Sequence, residues 1–130
     1  QHEEKINTAV HKSEILKTTK HLYLEIFKKL TANRTTYRSF GPHSEIALSD
    51  PHSNAHDIWE LKKITKIIPN NKAVLSLIDN NYSLIDSPEE IELIEAFRDH
   101  ANAFEMHTHS PKDRYPLFPM DFFEMIKNAK

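Results

Sequence analysis

Apolar side chains recur every three or four positions along almost the whole chain, and the strict alternation of a half-buried β-strand is hard to find. The longest such pattern runs from about Glu3 to about Tyr37, with no proline or glycine before Gly41. It predicts one long helix whose buried stripe is Leu16, Tyr23, Phe27, Leu30 and Tyr37, flanked by Ile15, Leu22 and Ile26. Such a helix reaches about 50 Å, longer than a compact domain of this chain length. The polar opening turns, residues 1–12, are therefore expected to fray or project. Either a second chain pairs with this end or the helix bends near Thr18 and Thr19.

Residues 41–54, GPHSEIALSDPHSN, hold two prolines, Gly41 and several short polar side chains, and predict an irregular connection. Within it Ile46, Ala47 and Leu48 are expected to tuck one short turn against the core. A second helix should start near Ser53 or Asn54, bury Ile58, Leu61, Ile64 and Ile68, and stop before Pro69. Lys62, Lys63 and Lys66 then sit at its negative end. Asn70 or Asn71 is expected to cap a third helix with the stripe Val74, Leu77, Ile78 and Ile85.

The clearest start signal is Ser87-Pro88-Glu89-Glu90, a capping box with proline at the first helical position. The helix it opens points Ile91, Ile94, Phe97, Ala101 and Phe104 inward and ends around Ser110 and Pro111. DRYPLFPMDFFEMI then lays Tyr115, Leu117 and Phe118 on an apolar surface before a short last helix from about Pro119. The expectation is one all-α domain over residues 1–130, an antiparallel bundle of four to five helices with a long N-terminal helix.

Composition sharpens this picture. One glycine in 130 residues cannot build glycine-rich phosphate loops, dinucleotide fingerprints or tight primed hairpins. With no cysteine, disulfides, thiolate metal sites and cysteine nucleophiles are excluded. Net charge is only −2, but residues 1–40 carry eight Lys/Arg against four Asp/Glu, while residues 73–110 set Arg98 alone against eight acids. These segments are expected to lie side by side and neutralise each other. No apolar run approaches the roughly 18 residues of a membrane span. The chain begins with Gln1 and not methionine, which leaves room for an upstream signal or anchor.

Candidate chemistry centres on PHSNAHDIW, residues 51–59. His52, His56 and Asp57 could hold a divalent metal, and AHDI resembles part of the metal-binding signature of the His-Asp phosphohydrolases, themselves all-helical. That resemblance implies metal-dependent phosphoester hydrolysis, with further ligands such as His21 or His43 and Asp79 or Asp99. The competing reading is a helix start, with Asp57 favoured by the exposed N–H groups of the first turn. Arg38 and His43 satisfy an Arg-x4-His spacing that resembles the motif of HEPN ribonucleases, small helical bundles that often dimerise. The resemblance implies RNA cleavage by Arg38 and His43 across a dimer.

A di-iron carboxylate bundle needs Glu-x-x-His from two helices, and no Glu here is followed three places later by His. His100 and His107 bracket Phe104 on one helix side; such imidazoles sense pH or hold a metal, or sit at the core boundary bonded to a neighbour. His109, beyond Thr108, favours the negative helix end. Lys62, Lys63, Lys66 and Lys72 with Asn70 and Asn71 make a weak phosphate patch without arginine or aromatics, so nucleic acid is not an expected partner. Arg34, Tyr37, Arg38 and Phe40, with Tyr115 from the late aromatic segment, could line a groove with an arginine floor for a carboxylate, phosphate or peptide ligand.

The expectation drawn from all of this is a non-enzymatic helical interaction or sensor module without cofactor, the soluble part of a larger or membrane-anchored bacterial protein. It is cytoplasmic or cytoplasm-facing, touches a membrane only through residues outside this sequence, and meets a protein partner or a second copy through the first helix. The alternative is a metal-dependent phosphohydrolase or HEPN-like ribonuclease using the histidines in residues 43–57.

Overall fold

A computed structural model describes the backbone of residues 2–49, 54–85, 87–109 and 117–130, and side chains from Lys12 onward within those ranges. The expected roles of His52 and Tyr115, the start at Ser53 and the stop at Ser110 and Pro111 lie outside the described residues. The described chain is all-helical.

With no proline or glycine to interrupt the i→i−4 ladder, the first pattern gives α1 (His2–Phe40). Its buried residues are Leu22, Tyr23, Ile26 and Leu30, with Phe27 partly buried against them. Two members of the expected stripe, Leu16 (58%) and Tyr37, are exposed, as is the flanking Ile15. Helix α1 is longer than the surface it packs on, so the described side chains from Lys12 to His21 are exposed apart from half-buried Thr19. Thr18 and Thr19 donate their hydroxyls to the Glu14 and Ile15 carbonyls four residues back.

Gly41 closes α1. Its N–H donates to the Tyr37 carbonyl at 2.7 Å, and the backbone comes so near that a Cβ at residue 41 would collide with that oxygen and lie 3.0 Å from Tyr37 Cδ2. The next turn, α2 (Glu45–Ser49), does form, but it buries nothing. Ile46 and Leu48 are exposed, contrary to the expectation that they tuck into the core.

The second and third expected helices are one continuous helical run. Helix α3 (Ala55–Lys62) passes through a π-helical turn, Lys63–Ile67, into α4 (Ile68–Asn80). Pro69 does not break the chain. The Ile68 N–H reaches back five residues to the Lys63 carbonyl, and this widened turn lets proline follow in the first turn of α4 without striking a carbonyl four residues back.

The expected apolar face is met in part, with Ile68 buried and Ile58 half-buried. Leu61 (58%) and Ile64 are exposed, whereas Trp59, Lys63 and Ile67 are buried. Trp59 offers the larger apolar surface and settles against Ile67, Ile68 and Phe104. Lys63 thus turns inward, with its ammonium 2.8 Å from Glu60 and 5.6 Å from the Trp59 ring centroid. Neither Asn70 nor Asn71 caps α4, whose start has no side-chain cap bond. Val74 and Ile78 are buried as expected, and Ile85 is buried beyond a 3₁₀ turn, Tyr82–Leu84.

Helix α5 (Pro88–His109) starts at the expected proline. The Ser87 hydroxyl accepts the Glu90 N–H at 3.5 Å and donates to the Glu89 carboxylate at 2.7 Å, and that bond holds Glu89 below its ordinary pKa. Glu90 does not reach back as in a full capping box; it accepts the Tyr23 hydroxyl at 3.1 Å and ties α5 to α1. Ile94, Phe97, Ala101 and Phe104 are buried and Ile91 is partly buried. Helix α6 (Met120–Ala129) buries Phe122, Phe123 and Ile126, with Phe122 stacked on Phe97 at 4.6 Å. Phe118 packs on the same core, but Leu117 is 88% exposed instead of lying on it.

Helix α1 packs chiefly on α6 and α4, and α5 closes on both of these. The expected neutralisation of residues 1–40 by residues 73–110 does not occur through ion pairs among the described residues. Acids on α4 and α5 take Arg98 and Lys72 as partners. No described helix is long and apolar enough to cross a membrane.

Gly41→Ala should destabilise the protein by about 1–3 kcal/mol, because the added methyl must displace the Tyr37 carbonyl. Urea unfolding measures this, and an unchanged midpoint would contradict the close approach.

Candidate functional site

Leu30, Asn33, Arg34 and Tyr37 stand at i, i+3, i+4 and i+7 on α1 and so share one helix face. That face forms one wall of a cavity of about 520 Å³. Ile67 from the π turn and Asn71 from α4 form the second wall, and His100 and Phe104, four apart on α5, the third. Leu117, Phe118, Met120 and Phe123 close it from the last segment and α6. The volume suits a small organic ligand, and most of the lining is apolar or aromatic.

The polar groups are few and specifically placed. Asn33 donates its amide to Asn71 Oδ1 at 2.9 Å and accepts from Asn70 Nδ2 at 3.0 Å. Asn71 is only 4% exposed, and its own Nδ2 donor has no acceptor among the described residues. Beside Asn33, the Arg34 guanidinium lies 5.6 Å from the centroid of the Phe123 ring. Among the described residues no carboxylate lies within ion-pairing distance of it. Tyr37 meets Trp59 edge-on at 5.7 Å, which links the cavity wall to the single tryptophan.

His100 joins the last wall to the first three. Its Nδ1 lies 3.0 Å from the Leu117 carbonyl oxygen, which can only accept, so Nδ1 carries the hydrogen. The ring sits among Phe97, Phe104 and Phe118. Burial pushes its pKa below the ordinary value of 6.5, partly opposed by the bond to Leu117. The ring therefore holds the segment at Leu117 against the cavity.

The expected ligand set is brought together in part. Arg34 and Tyr37 line the cavity, but Arg38 and Phe40 do not: Arg38 is exposed, and Phe40 packs near Trp59 with Lys62 4.7 Å from its ring centroid. His56 and Asp57 are both exposed on the first turn of α3. Arg38 lies in the last turn of α1, and His43 is exposed in the connection after it. Among the described residues no three His, Asp or Glu side chains form a metal-sized group. His107 is half-buried and His109 exposed.

The lysine patch is dispersed, with Lys63 paired to Glu60 and Lys72 to Glu105. Asn70 and Asn71 are turned to Asn33. Phe104 faces inward and His100 sits at the core boundary bonded to a neighbour, as expected, but no local pattern puts either of them, or Asn71, in a common cavity. The one signal was an asparagine pair directly after Pro69.

Because the folded His100 pKa is lowered, the unfolded chain binds this proton first. Stability should fall as pH drops below about 6.5 and level off once the folded-state ring is also protonated. Melting temperatures from pH 7 to pH 5 should decline more for the wild type than for His100→Gln. Equal slopes would contradict a half-buried ring held neutral by desolvation.

Comparison with family models, with curated proteins and with solved structures gives no match for the chain.

Proposed function

We propose that the protein is a non-enzymatic helical sensor or interaction module, an antiparallel bundle that takes a small, mainly apolar ligand between α1, α4, α5 and α6. The cavity carries this reading: mostly apolar walls, with polar donors on Arg34 and Asn71 in its lining. Ligand occupancy would brace α1 against the other helices, and the exposed first part of α1 would pass that state to a protein partner or second copy. Exposed Ile15 and Leu16 give that part of α1 an apolar edge. We place it as the soluble part of a longer bacterial protein, facing the cytoplasm.

The neutral fluorophore N-phenyl-1-naphthylamine should bind saturably at one site, and Met120→Trp should abolish binding by filling the rim. A ligand at a hundred times its dissociation constant should also add about 2.7 kcal/mol of stability. No saturable binding, or binding indifferent to Met120→Trp, would contradict the reading. Light scattering at high concentration should return a dimer mass that Leu16→Glu reduces to a monomer; a monomeric wild type would remove the self-association part.

A further inference from the structure

We infer that the cavity takes an amphipathic monocarboxylate, with its carboxylate held by Arg34 and Asn71 and its apolar body against Leu30, Phe104 and Phe123. This rests on the cavity being the binding site. Two unused donors mark where the head group lies. Asn33 spends its amide on Asn70 and Asn71, which fixes Asn71 with its Oδ1 toward α1 and its buried Nδ2 without an acceptor among the described residues. Arg34 follows Asn33 on α1 and lines the same cavity without a carboxylate partner among the described residues. The Phe123 face under its guanidinium carries apolar contact right up to the charge.

A guanidinium fork and an amide donor together match the oxygens of a carboxylate. The charge count favours a single negative charge, because Arg34 is the one Lys or Arg in the lining. A phosphate dianion would keep one charge uncompensated among apolar walls. A cationic head group would face the guanidinium directly. A peptide would bring backbone amides for which the walls offer few acceptors.

Calorimetric titration with decanoate, 1-decanol, decyl phosphate and decyltrimethylammonium tests this on the full chain. Decanoate should bind roughly tenfold or more tighter than decanol. Arg34→Gln keeps a planar group over Phe123 but removes the charge. Asn71→Asp keeps the acceptor for Asn33 but replaces the donor. Each variant should bring the decanoate and decanol affinities together, and Arg34→Gln, at an exposed position, serves if Asn71→Asp fails to fold. Equal wild-type affinities, a preference unchanged in Arg34→Gln, or tightest binding of decyl phosphate or the ammonium would overturn the head-group assignment and leave the cavity reading standing. Failure of decanoate to bind while N-phenyl-1-naphthylamine still binds would do the same. Failure of both would remove the underlying reading too.

Discussion

The Asn71 amide is buried, and the bond that its oxygen accepts from Asn33 is the interaction on which the placement of α1 on α4 depends. An unpaired buried amide costs about 1–3 kcal/mol, so α1 cannot rotate or slide on α4 without losing more than one ordinary contact provides. Asn33 grips both Asn70 and Asn71. With that residue fixed, helical geometry sends Leu22, Tyr23, Ile26 and Leu30 into the main core and brings Tyr37 to Trp59.

The structure has two apolar clusters, and the cavity is the seam between them. Leu30 and Phe123 belong to the larger cluster around Phe97 and Phe122; Ile67 and Phe104 belong to the smaller one around Trp59. All four line the cavity. The clusters fail to merge because polar groups occupy the level between them: the asparagine bridge on one side and His100, bonded to the Leu117 carbonyl, on the other. The π turn contributes at the same level. It carries Pro69 into α4 and turns Ile67 toward the seam. A site of this kind arises from what packing leaves open, which a chain with a single glycine can still achieve.

This explains what was legible beforehand. Helices α1, α5 and α6 follow from local rules: an uninterrupted 3.6-residue period, a serine and proline at a start, and a run of phenylalanines at helical spacing. Arg34 and Tyr37 were legible as part of an aromatic, arginine-bearing helix end. Pro69 was misleading because proline suits both a helix stop and the first turn after a widened one. Lys63 was misleading because solubility argues for exposure, whereas its stem is buried beside Trp59 while its ammonium meets Glu60 three residues back. Asn71 and His100 acquire their roles from residues 38 and 17 positions away in the chain, and no local pattern records such pairings.

A double-mutant cycle on Asn33 and Asn71, each changed to alanine and unfolded in urea, probes the bridge most directly. The account predicts that the double variant loses less stability than the two single losses added together, with a coupling of about 0.5–3 kcal/mol. Strictly additive losses would mean that the two amides do not hold α1 on α4, and the cavity built on that placement would lose its foundation.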